Sequence, residues 1–365
     1  MEKFCVFCGN KPQQKNNEHI FPRWLIELTG DPKRVVRFGN DKTKGGFPTR
    51  SFSFDQFKFP SCTTCNNEFS DLEMHAKKIV DKIMLLDNIS SEELSVLLDW
   101  FDKLRVGIWL GFFYLDKNWA QIKPRFYIRQ RMGEHDRLLC IYKARSDRKC
   151  LTFVGCDTPS FYFAPCCFTL RINSFYFFNI SYLFLFARRM GLPYGSNIYY
   201  LPNKEDPENY LMLVEGAEGR ERIMTPLLRK PFCIEGTELY QPMFPSQAKH
   251  EASREFYNTD YVHKMSMNWE NGTGKIFTQD KFTLLEYPYE PAKDWLPPQT
   301  YNIDYMNRAI IQQTLEWQIY INNNPVSFDR LPKEEQKYWS RVRKLHNNFN
   351  KKEIEKLNNT IFTGR

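Results

Sequence analysis

No uninterrupted apolar stretch long enough to cross a bilayer occurs in this chain. The two candidates are residues 104–115, which are too few, and residues 161–187, which are broken by Arg171, Asn173 and Asn179. Both read as buried elements, with no membrane partner. The opening Met1-Glu2-Lys3-Phe4-Cys5 lacks the apolar core of a secretory signal, so the expected setting is cytoplasmic and reducing. No segment recurs at a fixed period, which excludes a solenoid or propeller. A phosphate loop is missing as well: Gly272-Thr273-Gly274-Lys275 has no upstream glycine, and Ile276 stands where a hydroxyl residue belongs. Charge of one sign is in modest surplus, 51 Lys and Arg against 43 Asp and Glu, for a net +8. That surplus fits an anionic partner such as nucleic acid and fits many inert globular proteins equally.

Aromatic residues, in contrast, are abundant, at 16% of 365 positions with 31 Phe and 19 Tyr. With 42% hydrophobic residues, this excludes a disordered chain and favours sheet-rich cores, because aromatic side chains pack well on pleated surfaces. The length suggests two or three domains.

The pattern along the chain gives an α+β protein, a small metal domain at residues 1–87 followed by a larger mixed α+β body. Residues 35–38 and 52–59 alternate like strands around a Gly45-Gly46 turn. From Asn66 the period becomes helical, with Phe69, Leu72, Ile79, Val80 and Ile83 on one face. Ser90 and Glu93 form a capping box that opens a second helix reaching residue 115, striped by Trp100, Leu104, Ile108 and Phe112. Residues 126–186 read as several strands closed by a turn at 188–193, within a body spanning 88–286. Pro288, Pro291, Pro297 and Pro298 mark a connector, and residues 287–365 end in helices at 305–321 and 334–345 with a basic tail.

Ten cysteines in a reducing setting point to metal rather than disulfides where they are paired. Cys5-Val6-Phe7-Cys8 and Cys62-Thr63-Thr64-Cys65 are two C-x-x-C turns. Each can bring two thiolates to one ion, and together they complete a tetrahedral Cys₄ zinc site with no open position. Such zinc is structural. Cys140, Cys150, Cys156, Cys166, Cys167 and Cys233 have no ligand spacing and read as small buried side chains.

Between the pairs stands Asn17-Glu18-His19-Ile20-Phe21-Pro22, and Asn66 follows the second pair immediately. This order resembles the HNH (ββα-metal) endonucleases, in particular their zinc-bearing Cys₄ branch, which includes phage junction resolvases. The likeness covers about the first quarter of the chain. It implies a nuclease domain at 1–87 in which Glu18 and Asn66 hold one Mg²⁺ or Mn²⁺ and His19 is the general base for hydrolysis of DNA phosphodiesters. The acid is Glu where the family more often has Asp or His, and the segment 21–60 is longer than the minimal hairpin. Asn40 is a candidate for the central Asn, and His75 or Glu68 for an added ligand. Arg23, Lys33, Arg34 and Arg37 follow the catalytic His and are the expected phosphate contacts.

One such site cuts one strand, so double-strand cleavage needs a homodimer or two nicks, and a partner protein can control the activity. A role in anti-phage defence or a mobile element is the expected setting. The alternatives are action on RNA or branched DNA, or a non-catalytic zinc module that binds nucleic acid or serves assembly. Arg125, Arg129, Arg131 and Arg137 around 133–136 read as a charged turn between strands rather than a phosphate-contact loop, and Arg188-Arg189 is treated alike. Arg341, Arg343, Lys344, Lys351, Lys352 and Lys356, diluted by Glu334, Glu335, Glu353 and Glu355, read as a solvated helix face.

Overall fold

The first strand, β1 (Asn16–His19), pairs antiparallel with a strand forty residues further on, β4 (Lys58–Ser61), which sets Glu18 opposite Phe59 and His19 opposite Lys58. The insertion between them holds α1 (Arg23–Leu28) and a hairpin of β2 (Val35–Phe38) with β3 (Arg50–Ser53). The computed structural model describes residues 3–12, 16–38, 50–115, 118, 120–186, 194–205, 210–218, 234–243, 274–280, 283–323 and 326–362. Asn40, the Gly45-Gly46 turn, Arg188-Arg189, Cys233 and Gly272-Thr273 lie outside the described residues.

One expectation is corrected within this unit. Residues 52–59 are not one strand, because a 3₁₀ turn at Phe54–Gln56 separates β3 from β4. Phe54 and Phe57, on either side of it, are both buried, so the break serves packing as the chain changes strand partner.

Helix α2 (Thr63–Leu85) follows β4 directly. Its Phe69, Ile79, Val80 and Ile83 are buried, as their three-to-four spacing requires, and Leu86 ends it in the left-handed region at φ 60°. Ser90 and Glu93 make both capping-box hydrogen bonds at the start of α3 (Ser91–Tyr114). From Leu97 to Phe112 nearly all of this helix is buried, including Asp102, Lys103 and Arg105. A helix enclosed on every side must pair its charges internally, and these three do so.

Beyond α4 (Ile128–Arg131) comes the main sheet, built from β5 (Asp136–Arg145), β6 (Leu151–Val154), β7 (Cys167–Ile172), β8 (Phe175–Tyr182), β11 (Thr237–Gln241), β12 (Phe277–Asp280), β13 (Thr283–Glu286) and β14 (Thr300–Asn302). The strand order is β13-β12-β11-β5-β8-β7-β6, and β14 runs parallel to the end of β5. Successive side chains face opposite ways. Leu139, Ile141, Phe175 and Phe177 join the core that holds α3, whereas Leu138, Cys140, Tyr142, Phe178 and Ile180 pack on α6 (Ile303–Asn323). The sheet is thus covered by α3 on one face and α6 on the other. The α3-side core also contains Cys5, Phe7, Phe69 and Ile83, so packing is continuous across the boundary placed at residue 87.

A smaller sheet, β10-β9-β15, unites β9 (Tyr194–Pro202), β10 (Tyr210–Glu218) and β15 (Val326–Ser327). Between β6 and β7 lies the short α5 (Pro159–Phe163). The chain closes with α7 (Lys333–Phe362), longer than the helix read at 334–345. Among the described residues no helix is long and apolar enough to cross a membrane.

Candidate metal centre and active site

The four cysteines meet. Cys5 and Cys8 come from the turn before β1, Cys62 is the residue before α2, and Cys65 is in its first turn. Their sulfurs all lie within 4.8 Å of one another, with Cys8 and Cys62 4.0 Å apart. A tetrahedral zinc–thiolate site with bonds of about 2.3 Å sets sulfur–sulfur edges of about 3.8 Å, so this cluster has the donors and spacing for one metal ion. Gly9 closes the first turn at φ 82°, where an added Cβ would sit 2.2 Å from the Tyr127 ring.

Electrostatics at the cluster calls for a cation. Burial and the neighbouring sulfurs push the Cys62 thiol up to about 11 and the Cys65 thiol up to about 12. Burial also opposes ionisation of Cys5, yet main-chain N–H groups of Cys62, Cys8 and Phe7 outweigh it and hold that thiol below its usual value. The Cys62 amide donates to Cys5 Sγ at 3.2 Å. The backbone favours the Cys5 thiolate, and a bound positive ion would offset what holds Cys62 and Cys65 un-ionised beside it.

The turn that ends in Cys65 delivers Asn66 to β1. The Asn66 side chain donates a hydrogen bond to the Glu18 carboxylate. From α3, the buried Lys103 sets its ammonium 3.6 Å from Glu18 Oε1 and pairs with Glu73, two helical turns beyond Asn66 on α2. The same ammonium lies 5.7 Å from the centre of the Phe7 ring, between two of the cysteines. Phe7 in turn stacks on Phe69 of α2 at 4.4 Å, locking the first cysteine turn onto the helix. Burial raises the Glu18 carboxyl, a push that outweighs Lys103 and the Asn66 bond. Glu73 and Lys103 went unread in sequence. A lysine inside an apolar helix pattern and one glutamate among several carry no motif.

His19, the residue after Glu18 on β1, is half-buried. Burial lowers its pKa, Lys58 directly across the ribbon and Arg23 lower it further, and a bond from a ring N–H to the Asp55 main-chain carbonyl only partly offsets them. The imidazole is therefore neutral near pH 7, with one nitrogen oriented by the Asp55 carbonyl.

The remaining sequence candidates are placed as follows. Arg23 is exposed and pairs with Glu27 at 2.7 Å. Lys33 is exposed. Arg34 is occupied internally, donating to the carbonyls of Ile26 and Asp31 and to Thr29 Oγ1 and lying over Phe54. The Arg37 side chain lies outside the described residues. Glu68 faces away from Glu18 to pair with Arg129, and exposed His75 bonds the Asp71 carbonyl of its own helix. Neither joins the Glu18 cluster, which leaves Glu73 as the acid α2 contributes.

Compared with known proteins, the chain matches no protein-family model, no curated protein and no solved structure.

Proposed function

We propose that this chain is an HNH-type endonuclease that hydrolyses DNA phosphodiesters at Glu18, His19 and Asn66, on a ββα unit stapled by a structural zinc. The observation that carries the reading is the convergence itself. The helix that follows the antiparallel ribbon brings the Asn66 carboxamide to the Glu18 carboxylate, a neutral histidine is the next residue of the ribbon, and Asn66 adjoins a zinc-type cysteine. For Glu18 and Asn66, proximity in space supports the resemblance in residue order.

The residues suit the chemistry. Glu18 and Asn66 are hard oxygen donors, and the pocket they share with Glu73 already draws a cation, the Lys103 ammonium. They are the residues that would hold Mg²⁺ or Mn²⁺, in competition with that ammonium. When bound, such an ion supplies charge neutralisation at the phosphate and the leaving oxygen. His19 accepts the proton of the attacking water, and the Asp55 carbonyl fixes the ring for that transfer. Asn66 orients Glu18, and the cysteine cluster fixes where α2 begins and so where Asn66 points.

A second reading has its own observation. Lys103 neutralises Glu18 without any metal, as expected of a zinc module that binds nucleic acid and does not cut it. A plasmid-nicking assay with Mg²⁺ or Mn²⁺ separates the two. Cutting by the wild type and none by His19→Ala or Asn66→Ala supports the enzyme. Equal behaviour of all three proteins, with retained DNA binding, supports the module.

A further inference from the structure

We propose that a group of basic side chains between α4, β8, β9 and α7 is an anion site for a phosphate group, carried by a small nucleotide-like ligand or by a nucleic-acid end. Among the described residues it brings together Arg125, Arg131, His135 and Arg343. Arg131, the last residue of α4, sets Nη1 3.2 Å from Nε2 of His135. A guanidinium only donates, so Nε2 is the acceptor, and the proton of the neutral ring is on Nδ1. Burial, with Arg131 and Arg105 nearby, keeps that ring neutral. Both His135 Nδ1 and Arg131 Nε are shielded from solvent and have no hydrogen-bond partner among the described residues. A buried donor without a partner costs free energy unless an acceptor is brought to it.

More positive charge surrounds them. Arg125 donates to the Phe163 carbonyl at 2.6 Å and lies over the Phe163 ring. Arg343 of α7 donates to the Val326 carbonyl at 2.5 Å and lies over Phe328. The Tyr200 phenol of β9 feels Arg125, Arg343 and Arg131 together, and the Tyr182 ring of β8 is 6.5 Å from His135. Among the described residues none of these three arginines forms an ion pair. Asp102, the acid whose field reaches Arg131, is already shared by Arg105 and Arg137, and Asp329 acts on Arg343 only from beyond pairing distance. Burial keeps the neighbouring Cys166 thiol un-ionised. Three guanidiniums outside any ion pair among the described residues, with an imidazole N–H beside one of them, are the complement of a multiply charged oxyanion.

The charged-turn reading of Arg125, Arg129, Arg131 and Arg137 is thereby revised. Arg137 is buried in an acid pair and Arg129 meets Glu68, but Arg125 and Arg131 lie over the Phe163 and Phe126 rings and form no ion pair among the described residues. The helix that ends in Arg131 also touches the cysteine cluster, for Arg129 Nη2 lies 3.8 Å from Cys65 Sγ.

Calorimetric titration of the full-length zinc-loaded protein tests the site at constant ionic strength. The probes are inorganic phosphate, AMP, and one oligonucleotide with and without a 5′-phosphate, the last two on the His19→Ala background. Saturable binding of phosphate or AMP, weakened about tenfold or more by Arg131→Gln, is expected from loss of a charge-assisted hydrogen bond. Arg343→Gln should weaken it likewise and covers the case in which Arg131→Gln does not fold. Tighter binding of AMP assigns a free nucleotide, and a dependence on the 5′-phosphate assigns a nucleic-acid end. The proposal is overturned if none of the probes binds the wild type, or if the folded variants bind as the wild type does. Because the readout is binding, it stands or falls separately from nuclease activity.

Discussion

The Lys103 ammonium lies 3.6 Å from a Glu18 oxygen and pairs with Glu73, although Lys103 belongs to a helix enclosed by apolar side chains. Two carboxylates from β1 and α2 and one cation from α3 thus form a charge cluster at the edge of the core. Any divalent ion bound by Glu18 must compete with a cation held by the fold.

Replacing that lysine separates its structural and electrostatic effects. Lys103→Met leaves Glu18 and Glu73 facing each other without a counter-charge, at a cost of about 3 kcal/mol in stability. Added Mn²⁺ should recover part of it, since an ion that binds only the folded state stabilises by mass action. Thermal unfolding with and without Mn²⁺ should therefore show a larger metal-dependent rise for the variant than for the wild type. Equal rises would mean that the ion does not use these carboxylates.

The cysteine cluster gives a stoichiometric expectation of about one zinc per chain by elemental analysis. Chelation, or Cys65→Ser, should lower the unfolding temperature and disturb the start of α2, because the cluster ties the chain start to that helix. Nicking activity should fall with it, since Asn66 is the next residue. Retention of full activity by the zinc-free protein would disconnect the cluster from the site.

As the proposed general base, His19 should set the acid side of the pH profile. Burial, Lys58 and Arg23 hold its pKa below 6.5, so the basic form required of a general base persists below that pH. Nicking should stay level from neutrality down past pH 6.5 and then fall as the ring protonates. Lys58→Ala removes a neighbouring positive charge, raises the pKa and should move this limb to higher pH. A limb that does not move with Lys58 would belong to another group.

Local signals account for what was legible in sequence. The box at Ser90 and Glu93, the strand at 35–38, the helix at 305–321 and the two cysteine turns rest on spacings of a few residues, and each has its counterpart in the structure. What was not legible depends on distant partners. The pairing of β11 with β5, the Asp55 carbonyl on His19, and the meeting of Arg131, Tyr200 and Arg343 have no local pattern. Residues 52–59 show the same limit from another side. Their alternation is strand-like, but two different partner strands claim its halves.

Buried charge beneath the main sheet yields the last prediction. Asp102 accepts from Arg105, from Arg137 at 3.1 Å and from the Gly133 amide at 3.0 Å. Burial alone would raise its pKa, but Arg105, Arg137 and Gly133 outweigh that and hold it below the ordinary value of 3.8. Its contribution to stability is therefore complete above about pH 4 and is lost as pH falls through the depressed value. Asp99 also binds Arg137, at 2.5 Å, yet burial, with Asp102 nearby, shifts it upward. Its ionisation opposes folding as pH rises through the carboxylate range. Asp102→Asn should cost about 3 to 5 kcal/mol in urea unfolding at pH 7, since it leaves the buried Arg105 without its carboxylate and Arg137 with Asp99 alone. Asp99→Asn should cost less and should steepen the acid-induced loss of stability, because the opposing titration is gone. Equal costs, with unchanged acid slopes, would show that the two carboxylates share Arg137 evenly.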